Sequence, residues 1–214
     1  MTMSYKKTNN DKFKELKINN GNFGEYSCYE IILERLNNML NYSISRYSKV
    51  IFIRFDLRFP EGYRTNGRNY EVSNLTKRLK EQSNYKNYGL QLTWVREQST
   101  TKHQHYHCIA LVDGNKVRNA KSFLDKISIT WNKVLKTPGA RGLVHYCIND
   151  ISGQPGTLIR RPSPKADHQT RIEQEKTFQS TFNQCFRWAS YLAKENQKDN
   201  TPFGLRRFGG TQFK

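Results

Sequence analysis

Three of the five histidines in the chain occupy alternate positions of one short stretch, as His103, His105 and His107. Alternate residues of an extended strand point to the same face of a sheet, so these imidazoles would lie side by side. Each neutral imidazole offers a nitrogen lone pair to a divalent cation. The stretch therefore predicts a metal site, and the competing interpretation is a polar strand face that is merely rich in histidine.

The segment before these histidines supplies a carboxylate for the same site. Residues 90–97 alternate between apolar and polar side chains and end in Glu97, and the polar residues 98–102 predict a hairpin turn into the histidine strand. If Glu97 lies opposite His103 or His105, its carboxylate reaches a metal held there. A Glu-His-His set leaves coordination positions open, which suits a catalytic ion. The alternative is an ordinary carboxylate at a hairpin end.

A tyrosine near the C-terminus is a second candidate for chemistry. Residues 172–197 carry an apolar stripe at steps of three and four, which predicts a long helix. Tyr191 falls on a separate, exposed stripe beside Arg187 and Lys194, and Lys198 continues that stripe. A tyrosine among cations is electrostatically suited to meet a phosphate. An ordinary surface tyrosine is the competing interpretation.

Hydrophobic periodicity predicts the elements that position these side chains. The central part of the chain follows the order strand, helix, strand, strand, helix, strand. That order is a ferredoxin-like or RRM-like α+β layout, with helices flanking an antiparallel sheet. A packing helix introduced by a capping box at 27–30 precedes this core, and the helix of Tyr191 follows it. The predicted elements are the helices 27–40, 74–82, 117–135 and 172–197 and the strands 50–59, 90–97, 103–112 and 142–148.

The remaining segments are predicted to be irregular. We expect residues 1–24, which are rich in Lys, Asn and Gly, to form a flexible basic arm ahead of a single domain over residues 25–214. Residues 153–170 are rich in Pro, Gly and basic side chains and are predicted to be a loop. His145, alone in its strand, is expected to be structural.

The strand 50–59 has polar side chains on one face only. Its apolar residues alternate with Arg54, Asp56 and Arg58, so that face is expected to be free to meet a ligand. Asp56, like His103, is a possible additional metal ligand. The interpretation that we favour for Asp56 is an ion pair with Arg54 or Arg58.

The charge of the chain indicates its partner. Lys and Arg number 36 against 18 acidic residues, a net charge of +18, which predicts a nucleic acid held largely through its phosphates. No run of residues approaches the length of a membrane span and the polar start is not a signal peptide, so we expect a cytoplasmic protein without a membrane partner. The four cysteines are widely spaced and are expected to be reduced, mostly buried thiols; a Cys/His zinc site would require distant cysteines to converge.

Several short motifs occur together and in a defined order. They are Trp94-Val95-Arg96-Glu97, His105-Tyr106-His107, Ser190-Tyr191-Leu192-Ala193-Lys194 and Arg207-Phe208-Gly209. The set resembles the HUH endonuclease superfamily of rolling-circle replication initiators, and more narrowly the initiators of filamentous phages (inoviruses) and related prophages. The likeness runs from about residue 50 to residue 210.

The resemblance implies a fold, a site and a reaction. The sheet would be the HUH palm, with the catalytic tyrosine on a C-terminal helix; His105, His107 and Glu97 would bind Mg²⁺ or Mn²⁺. Tyr191 would attack a phosphodiester of single-stranded DNA, become joined to the 5′ phosphate and free a 3′ hydroxyl, while Lys194 neutralises developing charge. Tyr191 has no partner tyrosine one turn away on its own face, so one nucleophile is expected.

The implied substrate is a replication origin, as single-stranded DNA or a hairpin. The chain has no phosphate-binding glycine loop of the kind that NTP-driven enzymes use, so a helicase and a polymerase of the host cell would act in trans. Arginines in the predicted strand, loops, helix and tail are expected to contact the DNA: Arg54, Arg58, Arg160, Arg161, Arg187, Arg206 and Arg207.

Two other functions fit parts of the sequence. A non-catalytic, ferredoxin-like module that binds single-stranded nucleic acid explains the charge, the aromatic content and the predicted fold, but not the histidine pair with Glu97. An HUH transposase or plasmid relaxase shares the chemistry. The three-histidine set of relaxases accompanies an N-terminal tyrosine, whereas Tyr191 is C-terminal.

Overall fold

A six-stranded antiparallel sheet forms the centre of the protein. The structure is a computed structural model, and it describes residues 5–21, 24–65, 67–98, 104–150, 152–195, 198 and 201–213. The elements are β1 Lys7–Thr8, β2 Lys12–Phe13, β3 Leu16–Lys17, β4 Cys28–Tyr29, α1 Glu30–Arg46, β5 Lys49–Leu57, α2 Tyr70–Lys86, β6 Gln91–Glu97, β7 His105–Asp113, α3 Ala120–Leu135, β8 Val144–Tyr146, β9 Thr157–Arg160, α4 His168–Ser190 and β10 Phe208–Gly210. The strand order in the sheet is β10-β6-β7-β5-β8, and β9 pairs with the half of the β5 edge that β8 leaves free.

Helices cover both faces of this sheet, which confirms the α+β class. Helices α2 and α3 pack on one face, against alternate β5 residues such as Ile53 and Phe55. Helices α1 and α4 pack on the other face, against Val50 and Phe52. The expectation that the second face of this strand is free was therefore wrong for its first half. That face lacks an apolar helix contact only in the second half of β5, where Arg54 and Asp56 lie.

Helix α1 begins differently from the predicted capping box. Cys28 and Tyr29 form the short strand β4, and the Ser27 hydroxyl donates to Oδ1 of Asn9 instead of accepting a backbone N–H of the helix. Ile31 is 43% exposed, whereas Leu33 is fully buried. The reason is the start of the helix at Glu30, which directs Ile31 away from the sheet.

Other helices and strands also begin or end at residues that differ from the prediction, because tertiary contacts determine where they stop. Helix α2 begins four residues earlier than predicted, at Tyr70. Strand β9 lies inside the segment 153–170 that was predicted to be a loop, because its residues pair with the edge of β5. Helix α4 ends at Ser190 rather than near residue 197, and a single 3-10 turn, Tyr191–Ala193, follows it.

The described part of the predicted arm contacts the domain. Strand β1 pairs with β4, and Ile18 is 4% exposed. The backbone N–H of Asn19 donates to the Ser190 hydroxyl over 2.7 Å. Residues 5–21 thus lie against the end of α4, while the flexibility of the whole arm stays a prediction. Among the helices that the structure describes, none has the length and apolar character needed to cross a bilayer.

We expect the two faces of α1 to differ sharply in their effect on stability. Replacing the fully buried Leu33 by alanine leaves a cavity beside the sheet and should lower the free energy of unfolding by about 2–5 kcal/mol. The matched change Ile31→Ala, at an exposed position of the same helix, should alter it by less than about 0.5 kcal/mol. Urea unfolding measures both. Equal effects would contradict the observed orientation of α1.

Candidate metal centre and its tyrosine

The register of the β6–β7 hairpin brings the predicted metal ligands together. Glu97, the last residue of β6, pairs directly with His105, the first residue of β7. His105 and His107 are two residues apart and share the face of the sheet that carries Glu97. The hairpin prediction is thereby confirmed. His103, the third histidine of the stretch, lies outside the described residues.

The three side chains form a compact donor set. Oε2 of Glu97 lies 2.8 Å from Nε2 of His107 and 3.2 Å from Nε2 of His105. One ligand atom from each residue lies within 4.8 Å of the other two. Glu97 and His107 are buried, whereas His105 is partly exposed. The set therefore has two imidazole nitrogens and a carboxylate oxygen, with a side that opens to solvent.

Asp56 lies behind His107 rather than beside the other ligands. The pairing of β5 with β7 sets Asp56 directly opposite His107, and its Oδ1 lies 2.6 Å from Nδ1 of that ring. Burial opposes ionisation of Asp56, but hydrogen bonding to His107 and its charge outweigh burial, and the pKa of the carboxyl is lowered. The favoured ion pair with Arg54 or Arg58 was therefore wrong, since Asp56 orients a candidate ligand.

The contacts of His107 with two carboxylates indicate that a cation fits between its Nε2 and Glu97. An imidazole that donates its Nδ1–H to Asp56 has only a lone pair left at Nε2 when it is neutral. That lone pair and the Glu97 carboxylate repel each other at 2.8 Å unless a proton or a metal ion lies between them. Burial lowers the pKa of His107, but hydrogen bonds to both carboxylates raise it more. The proton thus holds a position that suits a divalent metal.

A buried lysine holds the second oxygen of Glu97. Nζ of Lys198 donates to Oε1, and the Lys198 side chain is fully buried. Burial would raise the pKa of Glu97, but its hydrogen bonds to His105 and His107 and the Lys198 charge hold it far below its usual range. The prediction of Lys198 on an exposed helix face was wrong, because the chain leaves the helix at residue 190 and turns Lys198 inwards.

Tyr191 lies against the same histidine. The Tyr191 and His107 ring centroids are 5.5 Å apart, with the rings nearly perpendicular. Cζ of Arg54 lies 4.2 Å from the Tyr191 ring centre, and Nζ of Lys194 lies 4.6 Å from it. Burial and the charge of Glu97 raise the pKa of Tyr191, while Arg54 lowers it. The structure therefore brings the predicted nucleophile, Lys194 and the metal ligands into one place.

Arg54 lies beside Tyr191, in the place where the sequence predicted Arg187. The Arg187 side chain is exposed on α4, because the chain changes from α-helix to a 3-10 turn at Tyr191. Arg54 comes instead from the neighbouring strand β5, and its Nε is buried without a hydrogen-bond partner among the described residues. The alternation of β5 was the signal for Arg54, but its contact with a distant helix is set by tertiary packing.

The other predicted DNA contacts lie at different distances from this centre. Arg58 is exposed and lines an open cleft of about 290 Å³, together with His105 and His107. Arg160 pairs with Lys49 at the far end of β5, seven positions from Asp56, or roughly 23 Å along the strand.

The remaining arginines lie on the outside of the domain. Arg161 and Arg206 are exposed. The guanidinium of Arg207 donates to the Tyr29 hydroxyl over 2.9 Å, in a cluster of aromatic rings near the N-terminal segment. Arg54, which lies over the Tyr191 ring, and Arg58, which lines the cleft with His105 and His107, are thus predicted DNA contacts that the structure places at the candidate centre.

Comparison with protein-family models matches residues 8–211 to one family, described as YagK/YfjJ C-terminal domain. The matched range contains the β6–β7 hairpin, Asp56 and Tyr191, so the whole candidate centre lies inside it. Searches of curated proteins and of solved structures found no significant match.

We expect the affinity for Mn²⁺ to distinguish Glu97, a candidate ligand, from Asp56, which orients the ligand His107. Replacing Asp56 by asparagine keeps the ring contact but removes the negative charge, and should weaken Mn²⁺ binding about 10- to 100-fold. Glu97→Gln, which removes a charged ligand, should weaken it more. Glu71→Gln, at a buried acid on α2, is the matched control and should bind as wild type. Isothermal titration calorimetry measures all four proteins, and unchanged affinity in Glu97→Gln would contradict the centre.

Proposed function

The chain belongs to the YagK/YfjJ C-terminal domain family, and we propose that it is a metal-dependent HUH endonuclease and strand transferase that nicks single-stranded DNA through a phosphotyrosine intermediate. The observation that carries this proposal is the contact of the Tyr191 ring with His107, itself held by Glu97 and Asp56. These groups come from four separate segments of the chain. In the cell, the reaction would nick a phage or prophage replication origin and initiate rolling-circle replication.

We assign the core to the ferredoxin-like HUH palm. The chain order β5-α2-β6-β7-α3-β8 and the spatial order β6-β7-β5-β8 support this assignment. Both helices of that unit pack on one face, which is the ferredoxin-like arrangement. The other face carries the candidate ligands and receives the end of α4. The palm would thus present the metal centre and Tyr191 to a strand that enters the cleft beside Arg58.

The metal in this proposal is Mg²⁺ or Mn²⁺, held by His105, His107 and Glu97. Bound there, it would polarise a non-bridging oxygen of the scissile phosphate and neutralise part of its charge. Asp56 keeps the Nδ1 proton of His107 in place, so that Nε2 points to the metal.

Tyr191 performs the covalent step. Its phenolic oxygen gives up a proton to water and attacks phosphorus in line, forming a bond to the 5′ phosphate. The bond from phosphorus to the 3′ oxygen breaks, and that oxygen takes a proton to become a 3′ hydroxyl. Because one phosphoester replaces another, a 3′ hydroxyl can reverse the reaction and rejoin strands without ATP.

Two cations beside Tyr191 suit a phosphate that gains charge in the transition state. Lys194 and Arg54 lie over the Tyr191 ring, whose phenolic oxygen would form the bond to phosphorus. A buried Nε–H without a partner costs free energy, so the unpaired Nε of Arg54 supports an anionic group in this place. The more distant arginines, with the net charge of +18, would hold the rest of the DNA through its phosphates. Helicase and polymerase activities would come from host proteins.

A single-stranded nucleic-acid-binding module without catalysis is the alternative, and the exposed aromatic residues favour it. Tyr70, Tyr85 and Phe203 are 67%, 89% and 84% exposed, and such rings can stack on bases. Binding alone does not require two carboxylates around a buried histidine beside a tyrosine. A transposase or relaxase of the same superfamily would share the chemistry proposed above.

We expect a covalent protein–DNA adduct that depends on Tyr191. Wild-type protein incubated with Mn²⁺ and a panel of labelled single-stranded and hairpin oligonucleotides should give a slower band on a denaturing gel, because the phosphotyrosine bond survives denaturation. Tyr191→Phe, which lacks the attacking oxygen, should give none. Tyr26→Phe is the matched control, since the Tyr26 ring also lies 4.5 Å from Nζ of Lys194.

Peptide mass spectrometry of the adduct identifies the modified tyrosine. An adduct that persists in Tyr191→Phe would assign the nucleophile elsewhere. Tight binding without any adduct across the panel would favour the non-catalytic module.

We expect Arg54, rather than Arg187, to support the nicking step. Arg54→Ala removes the cation nearest the Tyr191 ring and should slow single-turnover nicking on the order of 10²-fold. Arg187→Ala removes an exposed charge and should change mainly the salt dependence of DNA binding. Quench-flow rates measure both variants, with urea unfolding as the control for folding. A larger loss of rate in Arg187→Ala would contradict the arrangement.

A further inference from the structure

A second group of metal-ligand side chains lies one strand away from the Glu97 centre. Among the residues that the structure describes, ligand-type atoms converge within 4.8 Å in two groups, of which this one contains Asp56, His145 and Cys147. The pairing of β5 with β8 sets His145 directly opposite Asp56. Cys147 follows two positions later, just beyond the end of β8, and its sulfur lies close to both side chains. The widely spaced cysteines therefore include one that converges with a histidine and a carboxylate.

We propose that Asp56, His145 and Cys147 form a second metal site, selective for Zn²⁺. Its donors are an imidazole nitrogen, a sulfur and a carboxylate oxygen, a set that zinc prefers and that magnesium does not. Three protein ligands leave a fourth tetrahedral position for water. This site differs in chemistry from the Glu97 centre, which offers no sulfur.

The position of Cys147 supports its role as a ligand. The Cys147 sulfur, a carboxylate oxygen of Asp56 and a ring nitrogen of His145 all lie within 4.8 Å of one another, so the three donors are already close to a common point. Zinc binding would break the S–H bond, release the proton to solvent and form a Zn–S bond. Cys147 is 9% exposed and His145 is exposed, so an ion can enter from solvent. Cys28, Cys108 and Cys185 are at most 1% exposed, which makes Cys147 the most accessible thiol.

One carboxylate would connect the two metal sites. Asp56 lies on β5 between His107 on β7 and His145 on β8, in one row across the sheet. Its Oδ1 contacts His107, and a carboxylate has a second oxygen for the zinc. Zinc would thus fix β8 to β5 beside the cleft and hold Asp56 in the orientation that His107 needs. This role does not depend on nicking activity.

Cobalt(II) tests the site in the full-length protein, because it replaces zinc and absorbs in the near ultraviolet when a thiolate binds it. Wild-type protein titrated with Co²⁺ should develop this thiolate charge-transfer band. Cys147→Ser should abolish the band, while Cys108→Ser, at a buried thiol on the other face of the sheet, should retain it. Glu97→Gln should also retain it. Zinc stoichiometry by equilibrium dialysis should fall by one ion per chain in Cys147→Ser.

A second variant keeps the test independent of folding. His145→Ala changes an exposed side chain and should weaken the band without lowering the unfolding midpoint of the metal-free protein. Absence of the band in wild type, or its persistence in Cys147→Ser, would overturn the zinc site. Because absorbance is the readout, this result is separate from the adduct assay: either proposal can fail while the other stands.

Discussion

The arrangement of the candidate centre depends on one buried histidine held between two carboxylates. Asp56 fixes one nitrogen of His107 and Glu97 faces the other, all three on the face of the sheet that meets α4. Such a buried charged network adds little stability compared with apolar packing, whereas loss of one partner costs about 3–5 kcal/mol. A network that is expensive to desolvate and easily damaged is better explained by chemistry than by folding. The proposed function gives the network such a purpose, because it would hold a cation between His107 and Glu97.

The end of α4 is shaped so that Tyr191 meets this network. After the 3-10 turn, the backbone of Lys194 forms an isolated antiparallel β-bridge with Cys28, and the Glu195 N–H donates to the carbonyl oxygen of Ser27. These backbone contacts direct the chain away from the helix axis. The N-terminal segment supports the same place, since the Asn19 N–H binds the Ser190 hydroxyl. A helix that continued to residue 197 would have directed Lys198 to solvent instead of to Glu97. The irregular turn is therefore part of the site.

Local pattern in the sequence was sufficient for one part of the site and insufficient for the rest. The period-two alternation and the hairpin turn predict that Glu97 faces His103 or His105, because register within a hairpin is a short-range property, and the structure pairs it with His105. Arg54 beside Tyr191 and Lys198 on Glu97 join segments more than 100 residues apart, and no local pattern encodes such contacts. Strand β9 was missed for the same reason, since its pairing depends on an edge of β5 that only the fold creates.

The charges around Tyr191 explain why these long-range contacts suit phosphate chemistry. Without metal, the charges of Asp56 and Glu97 are opposed by Lys198 and, when His107 is protonated, by its imidazolium, which makes the inner network nearly neutral. Replacement of that single proton by a divalent cation adds positive charge close to the Tyr191 ring, where Arg54 and Lys194 already lie. In the proposed function, the metal-bound site would therefore carry an excess of positive charge. A phosphodiester is the anion that such a site, in a protein of net charge +18, would receive.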